Sequence, residues 1–325
     1  MGLSFTCKGK TIKTFRSLAL FFGLFFFAIA TLAFLIYRAN HNLYIEDAKN
    51  SVASVLNLTQ ELIAHEKQLS LSMALMLSQN EAIKQSYLLN DRTQAFEAMR
   101  EEMHKIKQYL QIEHLDIQLH TQDAHAWVRS WDFESYGEDL KPFRKGLETL
   151  RQTKLPLVSI ELGKRLNIKA LCPIFDKETY IGSLEVIMGF DEISAKLKDK
   201  KIHFLVLMDK EFLEIGEWMK ELEQMNDFVI VSNSCGKACH GILKPLISSE
   251  VLENGFARME GMLFGFTPLF DIEAKRIGYI GIWFDANLLK ESLLLRSTLL
   301  PRNKALPSLP YTPELPKNPT HVMIR

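Results

Sequence analysis

Cysteine is scarce in this chain. Four among 325 residues (Cys7, Cys172, Cys235, Cys239) exclude a disulfide framework as the main source of stability. Net charge is missing as well: 39 Lys and Arg balance 39 Asp and Glu, which gives no reason to expect nucleic acid as a partner. No Gly-rich phosphate loop, no HExxH and no GxSxG is present, and the scattered carboxylates do not form an acid/base pair. The expectation is a protein that is not an enzyme. Glycine and proline are absent between Gly23 and Gly137. Nothing there breaks a helix, so long helices can form.

One uncharged run is present. Ser17 to Tyr37 reads SLALFFGLFFFAIATLAFLIY, 21 residues without a charge. That length covers a bilayer core of about 30 Å. Lys8, Lys10, Lys13 and Arg16 precede it with no acid among them. The positive-inside rule puts residues 1–16 in the cytoplasm and the remainder outside it. A cleaved signal peptide is the alternative, but the run is too long and Tyr37-Arg38-Ala39-Asn40 is a poor cleavage site. Met1-Gly2-Leu3-Ser4-Phe5-Thr6 also fits a myristoylation pattern, which the spanning helix beside it discounts. Leu288 to Leu300 is apolar but broken by Lys290, Glu291 and Arg296, so no second span is read.

Residues 38–110 read as a long helical stalk. Ile45, Ala48, Val52, Val55, Leu56, Leu62 and Ile63 recur at helical spacing, as do Leu69, Met73, Met76, Leu77 and Ile83. Asn90-Asp91-Arg92 breaks the pattern, with Asp91 the N-cap of a second helix and Gln94 three residues on. The stripe Phe96, Met99, Met103, Ile106 and Leu110 reads as core rather than a cofactor box. At His114 the period becomes two. Leu115, Ile117 and Leu119 alternate with His114, Asp116, Gln118 and His120, which predicts a half-buried strand with a solvated polar face. A return strand (126–130), a helix opening at Asp139-Leu140-Lys141-Pro142 and running through Leu150, and strands over 157–162, 168–175 and 180–188 follow. One helix and then antiparallel strands is an α+β pattern.

A lysine-rich connector (191–201) leads to a second module over 202–295. It shows a strand at 202–207, a helix over 212–224, and strands at 228–231, 255–266 and 277–284. The two modules carry a weak repeat. Cys172-Pro173-Ile174-Phe175-Asp176 leads to Ile181-Gly182, and Thr267-Pro268-Leu269-Phe270-Asp271 leads to Ile277-Gly278. Both prolines lie near a strand end, where a missing N–H is tolerable. From Pro301 the chain holds six of its 11 prolines without a periodic pattern, so residues 296–325 read as an extended tail.

This order resembles the double Cache sensor domains of bacterial chemoreceptors, sensor kinases and diguanylate cyclases, and most closely the third double Cache type. The residues that carry the resemblance are Arg129, Tyr136-Gly137-Glu138-Asp139-Leu140, Phe143-Arg144, Glu161-Leu162-Gly163, Pro173-Ile174-Phe175-Asp176 and Ile181-Gly182-Ser183-Leu184-Glu185. It implies a membrane-distal module over 111–195, a membrane-proximal one over 202–295, two PAS-like antiparallel sheets, and a ligand in the distal module. Lys169 stands where the family often has Arg, which replaces a bidentate carboxylate contact by a point charge. The resemblance also implies a second membrane helix and an output domain. The reading is therefore relay to a partner protein; a truncated receptor or a non-signalling binding protein is the alternative.

Six residues are candidates for ligand contact. Arg129, Arg144 and Lys169 suit a carboxylate, Glu161 an ammonium, and Trp131 or Tyr136 a stacking wall. Structural ion pairs, Arg129–Glu161 or Arg144–Glu161, explain the same residues, and Asp139 suits a helix cap. Asp209, Glu211, Arg258 and Trp283 of the second module are poorer candidates. Cys235-Gly236-Lys237-Ala238-Cys239-His240 suggests a disulfide closing a small loop outside the cytoplasm. Its spacing is one residue longer than the haem c attachment motif, which keeps a haem redox sensor or a metal site as minor readings. His114, Asp116, His120 and His125 are metal-capable, with a solvated strand face as the plainer reading. The expected protein is a single-pass sensor of the bacterial inner membrane, its bulk periplasmic. It binds a small organic ligand, forms a homodimer along the Met- and Leu-rich helix, and uses no cofactor.

Overall fold

The computed structural model describes residues 9–288. The expected tail at 296–325, the end of the second module, the Met1–Thr6 pattern and most of Leu288–Leu300 lie outside the described residues. The first helix, α1 (Gly9–Ser78), is continuous for 70 residues. Its part from Phe21 to Tyr37 is exposed and is long and apolar enough to cross a membrane. Further on, Ala48, Val52, Ile63, Met73, Ala74 and Leu77 turn one buried stripe towards the sheets.

The stalk has two breaks rather than one. α1 stops at Ser78, and Asn80 caps α2 (Glu81–Leu89), its side chain accepting from the Ile83 amide at 3.1 Å. Nothing in the apolar period marks this break, because Asn80 does the work of a glycine or proline through its side chain. The second break falls where Asn90-Asp91 predicts it. Asn90 takes a left-handed conformation, and the Asp91 carboxylate accepts from the Gln94 amide at 3.0 Å to open α3 (Arg92–Leu110).

The first sheet is antiparallel and contains β1 (Leu115–Thr121), β2 (Ala126–Arg129), β3 (Leu157–Glu161), β4 (Asn167–Asp176) and β5 (Thr179–Met188). Their spatial order is β2-β1-β5-β4-β3. One face is apolar (Ile117, Leu119, Ile168, Ala170, Leu184, Val186) and buried against α1. The other carries α4 (Lys145–Thr153), which seats Leu147 and Leu150 beside Leu171 and Tyr180. The helix starts later than the Asp139 opening expected. Residues before it are held by the β1–β2 hairpin instead: Leu140 N donates to Ala124 O at 3.1 Å, and Asp139 bridges His125. The Asp139 carboxylate caps only the Lys141 amide, at 3.1 Å.

α5 (Asp191–Lys198) leads to the second sheet, ordered β7-β8-β6-β11-β10-β9. Its strands are β6 (His203–Asp209), β7 (Gln224–Met225), β8 (Phe228–Asn233), β9 (Phe256–Met259), β10 (Met262–Phe270) and β11 (Arg276–Asp285). Short helices α6 (His240–Leu243) and α7 (Ser249–Asn254) cover one face. The helix expected over 212–224 is two short 3₁₀ turns, Lys210–Glu214 and Glu217–Met219, separated at Gly216. The strand expected over 255–266 is two, because Glu260 and Gly261 both take positive φ (50° and 79°) and turn the chain back.

The repeat is borne by strand order and register. Leaving out β7, the second sheet repeats the order of the first, with β8, β6, β11, β10 and β9 in the places of β2, β1, β5, β4 and β3. In the first hairpin Ile174 pairs with Gly182, and a bulge follows before Phe175. In the second Leu269 pairs with Gly278, and a bulge follows before Phe270. Pro173 and Pro268 lie one residue before these pairs, past the last pairing of the adjacent strands β3 and β9, so neither breaks a ladder. The two glycines have one cause. A Cβ on Gly182 would meet His120 O and the Tyr87 ring, and one on Gly278 would drive into Leu207 O.

The Gly278 contact is with backbone, which has nowhere to go. Gly278→Ala therefore lowers stability by about 3 kcal/mol or more in urea denaturation. Gly241→Ala, with open space around its Cβ, stays within about 1 kcal/mol of the parent. Equal effects of the two substitutions would contradict the shared bulge geometry.

Candidate ligand-binding site

Alternation along β1 puts Asp116, Gln118 and His120 on the face away from α1. That face is not the solvated one expected: Gln118 is 4% exposed and His120 fully buried. It is covered because α4 and the loop before it fold across it. Cross-strand register fills the face with further polar groups. Gln118 pairs with Arg129 on one side and Glu185 on the other, His120 with Ser183, and Lys169 with Ser159 and Ile187.

Arg144, just before α4, anchors this layer. It is 3% exposed and makes two hydrogen bonds to the Glu185 carboxylate, Nη1 to Oε2 at 3.1 Å and Nη2 to Oε1. Its Nε lies 3.5 Å from Glu161 Oε1. Burial works against its charge, but Glu185 and Glu161 together hold the guanidinium pKa above its ordinary value. Glu161 Oε1 also accepts from the Gly146 amide at 2.8 Å, and a side chain on Gly146 would collide with this carboxylate. Arg129 pairs with Glu138 and Ser135 of the following loop.

Lys169 is different. It is 3% exposed, yet among the described residues its ammonium has no ion-pair or hydrogen-bond partner. Burial first, and the Arg144 charge second, pull its pKa from 10.5 down to about 8, with Glu185 and Glu161 opposing. Gly163 lies directly over the ammonium, where a Cβ would collide with Nζ. His120 Nδ1 lies 3.0 Å from Ser183 Oγ. Its pKa is well below the usual histidine range, through burial and then the charges of Arg144, Arg129 and Lys169, so the ring is neutral.

These groups border a cleft of about 60 Å³ whose lining includes Gln118, Arg129, Trp131, Arg144, Lys169 and Trp218. Of the six candidate residues, four meet there: Arg129, Trp131, Arg144 and Lys169. Glu161 is behind the cleft as a partner of Arg144. Tyr136 is away from it, 58% exposed, with the Arg92 guanidinium 3.6 Å from its ring centre. Gln118 is not among the candidates; His120 is weighed only as a metal-capable donor, and Gly163 and Glu185 only as motif residues. The signal was available in the alternation of Asp116-x-Gln118-x-His120 and of Ser183-x-Glu185, both polar where a half-buried strand has its outer face.

The second module shows that the fold does not require these charges. By the matched register, His203, Leu205, Leu207, Phe264 and Gly281 occupy the places of Asp116, Gln118, His120, Lys169 and Glu185. Leu205, Leu207 and Phe264 are fully buried among Trp283 and the residues of α6 and α7. The same sheet layer is thus a hydrophobic core in one module and a charged cleft in the other. Of the poorer candidates there, Trp283 is core, and Asp209 sits 3.5 Å from Arg276.

Cys235 and Cys239 form a disulfide with Cα atoms 5.9 Å apart. In that state neither sulfur is available for haem attachment or for a metal, and His240 contacts Glu223. His125 Nδ1 lies 3.0 Å from Asp123. Among the described residues no group of three or more His, Cys, Asp or Glu is arranged to hold a metal ion.

Residues 45–206 match the family described as "Double sensory domain of two-component sensor kinase". The chain belongs, over those residues, to the double Cache sensor family of the third type. The match takes in α1 from residue 45 onward, the whole first sheet and the start of β6. Among solved structures, the sensor domain of the V. cholerae histidine kinase DctB is similar at 12% identity and a TM-score of 0.45, over 73% of this chain and 96% of that one. The ligand-binding domain of the Campylobacter jejuni chemoreceptor Tlp3, in complex with 4-methylisoleucine, is similar at 17% identity and a TM-score of 0.47, over 81% and 96%. No curated protein sequence matches the chain.

Two outcomes follow from the charge arrangement. Lys169→Met removes a buried unpaired ammonium and raises the stability of the ligand-free protein at pH 7. Between pH 8 and 10.5 the unfolded chain holds the Lys169 proton more tightly than the folded one. Parent stability therefore gains up to about 3 kcal/mol from this group as pH rises through that window. Urea denaturation should show the variant's advantage shrinking over the same window; a constant difference would contradict it. Arg144→Ala leaves Glu185 buried and uncompensated and costs about 3–5 kcal/mol in the same measurement.

Proposed function

We propose that this protein is a membrane-anchored sensor whose first module binds a small organic anion, a carboxylate in the first instance. The observation that carries this reading is one cleft on which the Lys169 ammonium has no ion-pair or hydrogen-bond partner among the described residues, beside two buried donors without partners, Gln118 Nε2 and Arg129 Nε. Buried polar groups are nearly always paired, and an unpaired ammonium costs stability that selection retains only for a use. Five cationic side chains line the cleft against Asp116 and Glu138, and Glu185 behind them balances Arg144. A carboxylate reaching Lys169 gains charge-assisted hydrogen bonds in a dry setting. Trp131, whose ring centre is 6.0 Å from the Arg129 guanidinium, offers an apolar wall for the ligand body.

The apolar, exposed stretch of α1 and the basic residues before it support a bacterial inner-membrane anchor with residues 1–16 cytoplasmic and both modules periplasmic. The same helix packs under both sheets, so a ligand that favours one packing of the first sheet also biases α1. Relay to a partner signalling protein, within a homodimer built along α1, completes this reading.

The test is a thermal-shift series on the full chain in detergent with acetate, succinate and neutral and acidic L-amino acids at pH 7. At least one anion should raise Tm, by mass action on the folded state. Its affinity should weaken roughly tenfold between pH 7 and pH 9.5, as Lys169 loses its proton near 8. Lys169→Met should abolish both the shift and its pH dependence. Absence of any shift across the panel would overturn the reading.

A further inference from the structure

The cleft of the first module is not built from the first module alone. Its lining includes Trp218, which belongs to the second 3₁₀ turn of the second module. This turn is docked on the β3–β4 loop, residues 162–166, by several independent contacts. Trp218 N donates to Lys164 O at 3.3 Å. Leu166 N points to Met219 Sδ at 3.4 Å. Lys164 Nζ lies 3.2 Å from Glu217 and 3.5 Å from Glu138, and so ties the turn to the loop that holds Arg129. The Trp218 ring receives Lys164 and Arg165, whose charged groups lie 5.5 and 5.3 Å from its centre. Inside the same loop sits Gly163, directly over Lys169 Nζ.

We propose that the second module forms a wall of the ligand cleft. In this arrangement the Gly216–Lys220 turn, with Trp218 at its centre, holds the Gly163 loop closed over Lys169 and sets Lys164 and Arg165 at the rim. The proposal rests on the reading of the cleft as an anion site and deepens it. The ligand class it fits is an organic anion with an apolar or second acidic portion. Its carboxylate reaches Lys169, and the remainder meets the Trp218 ring and the two rim cations.

The arrangement has a physical logic. Cations stacked on an aromatic face keep their charge and lose little hydration, so Lys164 and Arg165 stay available to an anion while Trp218 restrains them. The two modules also touch through α1, α5, the hydrophobic core and the Lys145–Glu273 ion pair, 3.9 Å apart, and none of these residues is part of the Trp218 turn. The Trp218 turn is where occupancy of the first module acts on the second directly. The second module packs on α1 nearer its apolar stretch: Val52 and Leu56 lie against Gly265, and Tyr44 stacks with Arg258. A ligand that tightens the wall therefore acts on the part of α1 closest to the proposed membrane.

The experiment uses the full chain in detergent and reads acylation of Lys169 by acetic anhydride at pH 8, quantified by mass spectrometry. Trp218 is 42% exposed on a surface turn, so its replacement spares the core, and a melting curve checks this. Trp218→Ala should speed Lys169 acylation about tenfold and increase amide hydrogen exchange over 162–166, while Trp218→Phe should remain near the parent on both. Succinate and L-glutamate are the probes for the second arm. Protection of Lys169 by either in the parent should be lost in Trp218→Ala. Unchanged acylation and exchange in Trp218→Ala would overturn the wall, whatever the probes do. Faster acylation in Trp218→Ala, with no protection by either probe in the parent, would support the wall and count instead against the carboxylate reading of the site.

Discussion

The pair that the first module depends on is Arg144 with Glu185. Two charge-assisted hydrogen bonds join them in a layer that solvent hardly reaches. Each charge would be prohibitive there alone. Around them the same buried sheet face carries Gln118, His120, Ser183 and Glu161. The pair also fixes where α4 begins, because Arg144 must face the sheet before the helix can turn over it. Lys169 is tolerated in the same layer because Glu185 and Glu161 offset part of what burial and Arg144 impose on it. The offset is incomplete, and the remainder is the chemical opportunity of the cleft.

Duplication supplies the control for this argument. Both modules share a strand order, a bulge at the same register position and a glycine where the strands crowd. On that common frame the second module fills the equivalent layer with Leu205, Leu207, Phe264 and Trp283. A hydrophobic filling suits the frame and is the more stable choice in general. The charged filling of the first module is therefore a property of its site. The division of labour is one of chemistry on equal scaffolds, with the second module closing the cleft through Trp218 rather than repeating it.

Much of this was legible in the residues. Helical and two-residue periods gave the α1 stripe and both sheets, and Asp91 announced its own cap. The hairpin repeat held to the level of register. What escaped notice has particular causes. Asn80 ends α1 through a side-chain hydrogen bond that leaves the apolar period undisturbed. The Phe212–Gln224 segment carries helix-forming residues, but its turn is tied by Trp218 to a loop some 50 residues earlier in the chain, and local propensity does not register such a contact. The polar face of β1 was assigned to solvent because a two-residue period says which residues share a face, not what covers it. For the same reason the Arg144–Glu161 pair was read as one alternative for these residues, while Glu185, the other partner of Arg144, was left within a motif.

The account stands or falls on the state of one ammonium group. Selective ¹³C labelling of lysine in the full chain, with Lys169 assigned by its Met variant, allows its titration to be followed by NMR. The account predicts a midpoint near pH 8 in the ligand-free protein, and a clear upward shift once a carboxylate that stabilises the fold is bound. A midpoint at the ordinary lysine value in the free protein, unmoved by any such carboxylate, would contradict it.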